Sequence, residues 1–409
     1  MNPKIFWLGL LAAFASPSAG AVTQEIRALF TPDSANPHRN EFVNKTPSTG
    51  YCEYYPEICR NSNTFSLRLL TKVESIRAMQ ANADARGSAM FKVPGGWRRL
   101  TIMNVETGEA EIVEVRVAGI GSNYVLSDTA SNLTGVSDAG EAHNRLWQGA
   151  AWVNAAPPCV STGLGFYGAK SFAFFWKVPD ERACTKVASF DIPAMTYGYL
   201  DFAYELRTPN PLKMSSGFYT GSLNYRLGPG GDFDFGDVMI PDDPDLTLDF
   251  VLEVQHTLKV DIPPGGEKVQ LVPAGGWQSW LHAGRKPVRL FRDQTFNISA
   301  SSRFKMYLIC QYSDGRRCYL RNPRWLIDVP LDVRVSLPGG LTDVSGRPVH
   351  RQELMTESGA VAFQPGQYVD RKPGTLHFEL GPKALETVFL PGIGNHYSGN
   401  VTVIWDSEV

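Results

Sequence analysis

Apolar residues recur at every second position in short runs along this chain. Glu111-Ile-Val-Glu-Val-Arg-Val117, Leu248-Asp-Phe-Val-Leu-Glu-Val254 and Leu331-Asp-Val-Arg-Val335 each alternate apolar and polar. That is the period of a β-strand with one buried face. Gly, Pro and Asn turns separate the runs, and long helical periodicity is scarce. Only Glu141 to Asn154 reads as a short helix. With 38 Gly and 28 Pro spread among such strands, the pattern predicts an all-β chain built of sandwiches.

The last alternating run is the most informative. Tyr397-Ser-Gly-Asn-Val-Thr-Val-Ile-Trp-Asp406 places Val401, Val403 and Trp405 on one face and Thr402, Ile404 and Asp406 on the other. Only Ser407, Glu408 and Val409 come after it. An apolar strand without a further neighbour is an aggregation hazard, so this one is expected to await a strand from a partner by β-augmentation. Val401, Val403, Ile404 and Trp405 should line or flank the resulting groove, with Leu246 to Val260 as its opposite edge. The competing reading is an interior strand of a complete sandwich.

Two domains are expected from about 390 mature residues. The clearest boundary lies between Gly228-Pro-Gly-Gly and Pro241-Asp-Asp-Pro-Asp245, where prolines and acidic residues cannot continue a central strand. This predicts an N-terminal domain over 22–240 and a C-terminal domain over 246–409. The halves also echo each other: Val93-Pro-Gly-Gly-Trp97 against Val272-Pro-Ala-Gly-Gly-Trp277, and Tyr219-Thr-Gly against Tyr397-Ser-Gly. Chance is the alternative, because Gly-rich turns before aromatics are common.

Export is written at the N-terminus. Lys4, the apolar run Ile5 to Phe14 and the small residues Ala19 and Ala21 fit a secretory signal over 1–21. The run is too short for a bilayer, which needs about 20 residues. Six cysteines agree with an oxidising compartment: Cys52 and Cys59, Cys159 and Cys184, Cys310 and Cys318. Pairing between sequence neighbours is the simplest connectivity, though others are open. Zinc is disfavoured, since CxxC spacing is absent and no histidine sits close to any couple. A formal charge of −2 gives no electrostatic preference for nucleic acid or anionic membranes.

One stretch is more specific. Met214-Ser-Ser-Gly-Phe-Tyr-Thr-Gly-Ser-Leu-Asn-Tyr-Arg-Leu-Gly-Pro-Gly-Gly-Asp-Phe-Asp-Phe-Gly-Asp237 resembles the end of the adhesin domain in CfaE/CblD-type pilus tip adhesins, including the EcpD-like branch, of the alternate chaperone–usher pathway. The signal peptide, the two-sandwich layout and the terminal strand fit the same family, so the resemblance spans most of the chain. It implies two immunoglobulin-like β-sandwiches in tandem, the second lacking its last strand. It also implies a receptor-binding N-terminal domain and a cell-surface position at the pilus tip. The implied partners are a periplasmic chaperone that lends a strand, an outer-membrane usher, and a major pilin subunit whose N-terminal extension replaces the chaperone's strand. A donor strand would carry alternating large apolar residues, whereas Val22 to Asp33 alternates poorly and is broken by Pro32. That segment is expected to be the first strand of the N-terminal domain.

For receptor recognition, an exposed aromatic beside arginines suits an acidic or hydroxyl-rich glycan. Trp97, Arg98, Arg99 and Arg182 fit that description, although Trp97 could instead pack in a core and the arginines be a solvated strand end. Arg316, Arg317, Arg321 and Arg324 around Cys318 read as a solvated hairpin. No cofactor or metal is expected, and enzymatic readings fare poorly. Gly163-Leu-Gly-Phe-Tyr-Gly168 precedes the aromatic run Ser171-Phe-Ala-Phe-Phe-Trp176 rather than a helix, so the dinucleotide reading fails. GxSxG and HExxH are absent. Asp232 and Asp234, or Asp242 and Asp243, read as turn residues rather than a hydrolase pair, and the sequons at Asn44, Asn132, Asn297 and Asn400 as accidental. The alternatives to a tip adhesin are a non-adhesive subunit that initiates the pilus and, more remotely, a secreted β-sandwich carbohydrate-active enzyme.

Overall fold

The computed structural model describes residues 22–283, 286–393 and 396–407; the expected signal peptide lies outside them. The chain is nearly all β, in several curled sheets, around two large hydrophobic cores, with a small third cluster of Tyr51, Cys52, Cys59, Phe175 and Ala203 among the described residues.

The N-terminal unit is a large sheet of thirteen strands wrapped on its core, with a separate two-stranded ribbon of Ala89–Phe91 and Cys184–Lys186. Its main strands are β1 (Val22–Phe30), β2 (Phe65–Leu69), β3 (Arg98–Asn104), β4 (Ala110–Leu126), β5 (Val160–Tyr167), β6 (Ser171–Lys177), β7 (Leu200–Arg207), β8 (Gly217–Arg226) and β9 (Asp245–Val254). The short helices α1 (Tyr51–Tyr54), α2 (Pro56–Ser62) and α3 (Ala139–Leu146) lie between them. The helix expected at 141–154 is α3, shorter and earlier, because Asp138 caps it by accepting from the Glu141 amide at 2.8 Å. Strand β4 is the organiser. It pairs with β7 along one edge and with β3 and then β6 along the other. Phe174 and Trp176 of β6 fill the core with Trp152, Phe91 and Tyr197, packed edge-on or tilted at 4.5–6.1 Å. On the opposite face, Gly121 is required because a Cβ there would fall 2.4 Å from the Phe174 carbonyl.

The unit closes through β8 and β9, antiparallel from Gly217 opposite Val254 to Arg226 opposite Asp245. Strand β9 then runs parallel to β1, Val22 opposite Leu246 through Phe30 opposite Val254. Leu246, Leu248, Phe250, Leu252 and Val254 are all buried. The boundary expected at 228–245, with a second domain from 246, is therefore corrected. Residues 228–244 are no linker, because Phe233, Phe235, Val238 and Met239 anchor them in the first core. An antiparallel backbone bridge between Asp234 and Lys92 pins the segment to the same unit. Proline and acidic residues marked a loop there, and its buried aromatics decide where it lies.

The change of core falls at Gln255–Thr257. His256 sits at the joint, its Nε2 at 2.9 Å from the Met214 carbonyl and its Nδ1 at 3.1 Å from Ser301 Oγ. The C-terminal unit packs two sheets face to face. One holds β10 (Leu258–Asp261), β11 (Leu290–Ala300), β13 (Cys318–Asn322), β14 (Ile327–Ser336) and β16 (Val369–Leu380). The other holds β12 (Phe304–Cys310), β15 (Val361–Pro365), β17 (Val401–Ser407) and the short strand Leu341–Asp343. Two further helices, α4 (Gly276–Ala283) and α5 (Pro382–Val388), flank them.

All six cysteines form disulfides between sequence neighbours: Cys52–Cys59, Cys159–Cys184 and Cys310–Cys318. The last ties β12 to β13 and so links the two C-terminal sheets. The internal echo has no shared structure. Val93–Trp97 is a loop entering β3, whereas Val272–Trp277 runs into α4. Tyr219 lies inside β8, whereas Tyr397 lies in the loop before β17. Short Gly-aromatic motifs are too permissive to specify one backbone path.

Candidate functional site

Strand β17 has one neighbour among the described residues. It pairs with β12 from Val401 opposite Cys310 to Ser407 opposite Phe304. Its other edge faces the first strand of the opposite sheet, β10, which among the described residues pairs only with β11. Between the two edges the core lies open. Val401, Val403 and Trp405 point inward and are only half-buried against the second core. The Trp405 ring meets Phe296 at 5.6 Å, edge toward face. Ile404 has the opposite parity, turns away from that core and flanks the opening.

Two hollows run along the slot. One of about 410 Å3 has Leu320, Leu331, Leu376 and Phe378 on its floor and Val401 and Val403 on its rim, with Glu267 and Gln294 as polar members. The other, also about 410 Å3, lies between Leu258 and Val260 of β10 and residues 403–407 of β17. This is a long apolar trough beside an unpaired backbone edge, the form that β-augmentation uses: main-chain hydrogen bonds hold the guest and alternate pockets select its side chains. Of the expected opposite edge, Leu246–Val260, only Leu258 and Val260 face the trough. Residues 246–254 are occupied as β9.

The receptor candidates lie elsewhere. Trp97 is half-buried and carries the Arg207 guanidinium 3.8 Å over its ring and Arg116 at 5.2 Å. Arg116 makes a bidentate pair with Glu205 at 2.8 and 2.9 Å. Arg99 and Arg207 both reach Glu114 at 3.5 Å, and Arg98 reaches Asp232 at 3.3 Å and Glu181 at 3.6 Å. The fold thus gathers Trp97, Arg98 and Arg99 with Arg116 and Arg207, and every guanidinium already has a carboxylate. Arg182 does not join them. It folds back on Asp180 at 2.6–3.0 Å within its own turn, and that hydrogen bond holds the Asp180 carboxylate below its usual range. Arg116 and Arg207 were missed by sequence reasoning. The signal was present in Glu114/Arg116 and Glu205/Arg207, charges two apart on the exposed face of adjacent strands.

A second polar cluster lies on the β2–β7 side. Arg68 grips Asp201 with bonds of 2.7 and 2.8 Å and stacks on Tyr199 at 3.8 Å. Burial raises the Asp201 carboxyl. The C-terminal arginines are dispersed in a hairpin, with Arg321 on Asp328 and Arg317 on Glu353. Among the described residues no group of His, Cys, Asp or Glu could hold a metal ion, and no helix is long and apolar enough to cross a membrane.

The sequence matches no protein-family model and no curated protein. Among solved structures, CfaE, the adhesive subunit of the CFA/I fimbria of enterotoxigenic Escherichia coli, is similar, with 9% identity, 95% of this chain and 94% of that chain covered, and a TM-score of 0.26. A CfaE mutant, G168D, gives 8% identity, 95% and 93% coverage and a TM-score of 0.28. The CsuC–CsuE chaperone–tip adhesion subunit pre-assembly complex from archaic chaperone–usher Csu pili of Acinetobacter baumannii gives 9% identity, 94% and 99% coverage and a TM-score of 0.21.

Proposed function

We propose that this chain is a pilus tip adhesin, exported through the periplasm and joined to its fibre by a strand that another subunit donates. One observation carries the reading. The strand β8 of the N-terminal unit is covered by β9, whereas β17 of the C-terminal unit has an open trough where the corresponding cover would lie. Strand β1 is already held between β9 and a short strand at Val43–Asn44, so the N-terminal segment is in use and the subunit accepts a strand without offering one. A periplasmic chaperone fills the trough first, the outer-membrane usher receives the complex, and a major pilin subunit then supplies the permanent strand.

In this reading the N-terminal unit binds the surface receptor, a glycan, and the Trp97 patch with Arg98 and Arg99 is its first candidate site; Arg182 is a weaker one. The residues once open to a hydrolase reading have structural uses. Asp234 is buried on Arg86, Asp232 meets Arg98, and Asp242 accepts from the Lys72 amide. The same trough serves a non-adhesive, pilus-initiating subunit equally well, and glycan binding by the N-terminal unit separates the two.

The test is to express the exported chain in an oxidising periplasm with and without its pathway's chaperone. The expected outcome is a stoichiometric complex with the chaperone, and proteolysis or aggregation of the C-terminal unit without it. A monomer that resists proteolysis unaided, with β17 amides protected from exchange as well as those of β8, would overturn the proposal.

A further inference from the structure

We infer that the strand filling this trough has a fixed order of side-chain sizes: large residues opposite Val401 and Val403, and a small one opposite Trp405. The inference rests on the strand-acceptor reading above and adds what that reading leaves open, the chemistry of the guest.

The template is in the molecule itself. In the N-terminal unit, β9 lies between β8, to which it is antiparallel, and the unit's first strand β1, to which it is parallel. In the C-terminal unit the empty slot lies between β17 and that unit's first strand β10, both of which line the second hollow. The guest therefore runs antiparallel to β17, as β9 runs to β8. Residues directly opposite in such a ladder share a face and compete for the same volume. The β8–β9 pair obeys this rule. Phe250, the bulkiest inward residue of β9, stands opposite Gly221, while the large Tyr219 and Tyr225 of β8 stand opposite Leu252 and Leu246.

Applied to β17, the rule gives a definite order. Trp405 already fills the middle of the trough against Phe296, which leaves room only for a small side chain opposite it. Val401 and Val403 are short, and beneath them is the hollow of about 410 Å3 floored by Leu320, Leu331 and Phe378. Aliphatic or aromatic side chains opposite these two valines would occupy it. Read from its N-terminus, the guest passes Ser407 first, so its inward residues run apolar, small, large, large at every second position. A second copy of this chain is a poor guest, because its β1 is already paired on both edges.

The experiment uses the whole exported chain with a strand fused after Val409 through a short Gly-Asn turn, which imposes the antiparallel direction. The reference strand carries Ala opposite Trp405 and Leu opposite Val403 and Val401. It should raise the melting temperature of the C-terminal transition. Replacing the Leu opposite Val403 by Ala should reverse about 5–15 °C of that gain. Replacing the Ala opposite Trp405 by Leu should also lower it, and Trp405→Val should restore tolerance of that Leu, a coupling that a double-mutant cycle reads directly. If the reference strand stabilises but the size series is flat, or favours Leu opposite Trp405, the inference falls while the acceptor reading stands. If no fused strand stabilises the chain, both fall. A concentration-dependent dimer of the unfused chain with β17 protected would assign the trough to a second copy and overturn the inference.

Discussion

Strands β8 and β17 are both apolar strands near the end of their units, yet they meet different fates. Tyr219 and Tyr225 of β8 are buried, sealed by ten residues of β9. Val401, Val403 and Trp405 of β17 are left half-buried. The two strands themselves differ little; their connections decide the outcome. After β8 the chain loops through Gly228–Pro244, anchors Phe233 and Phe235 in the core and returns as β9. The apolar face of β8 is thus sealed by the strand its own connection brings back, whereas β17 has a partner on one edge only among the described residues. That comparison is most sharply tested by placing the same charge on both sides. Leu248→Glu in β9 buries a carboxylate without a partner and should unfold the N-terminal unit outright. Val403→Glu, at a half-open edge, should change the melting of the unfused chain by about 1 kcal/mol or less but abolish strand uptake. Circular dichroism melts with and without the fused strand read both, and equal losses at the two sites would show that β17 is as enclosed as β9.

A smaller effect separates the units covalently. Cys310–Cys318 ties β12, the only neighbour of β17 among the described residues, to the opposite sheet. Replacing both cysteines by alanine should cost about 2–3 kcal/mol in the C-terminal transition and weaken strand uptake, while the N-terminal transition stays put. Removing Cys159–Cys184 should do the reverse. Two-stage melting curves of the two double variants check this, and a common shift of both transitions would mean that the units unfold as one.

Much of this was legible in the sequence, and the failures share a cause. Period-2 runs at Leu248–Val254 and Leu331–Val335 are strands because alternation is a local property that the sheet uses directly. The exposed apolar face at Val401, Val403 and Trp405 could be read for the same reason. The boundary could not. Prolines and aspartates at 228–245 report that the backbone turns, but the burial of Phe233 and Phe235 depends on contacts far away in sequence. The Trp97 patch was half-legible: Trp97, Arg98 and Arg99 are adjacent, while Arg116 and Arg207 reach the ring only through strand pairing. Arg182 stands apart from the patch because a carboxylate two residues away, Asp180, holds its guanidinium within its own turn.

Acid should also distinguish the two halves. Burial lowers the pKa of His143, which sits on Tyr124 and the Gly168 carbonyl in the first core, and of His256 at the joint. Below about pH 6.5 the unfolded chain takes up protons that these folded sites refuse. Stability is therefore complete above that pH and is lost as pH falls toward the folded values. Among the described residues no histidine lines the trough. Melting between pH 7.5 and 5.5 should thus lower the N-terminal transition and leave the gain from a fused strand unchanged. A gain that declines in parallel would tie strand uptake to the joint.

The smallest expected difference concerns the two tryptophans that echo each other in sequence. Trp97 is held between Arg207 and Arg116, and each guanidinium over an aromatic face contributes about 0.5–1 kcal/mol at an exposed site. Trp277 lies at the start of α4, 36% exposed, beside Trp280 at 5.6 Å. Trp97→Ala should therefore cost about 1–2 kcal/mol and free Arg207 and Arg116 to reorient, whereas Trp277→Ala should stay within about 0.5 kcal/mol of the parent. Arg207→Lys is the sharper variant, because it keeps the charge near Glu114 and removes the planar stack. If the Trp97 patch recognises a glycan, Arg207→Lys and Trp97→Ala should both lose binding on a glycan array while the fold survives. Trp277→Ala should bind as the parent does. Loss of binding in Trp277→Ala alone would move recognition to the C-terminal unit and break the division of labour between the two.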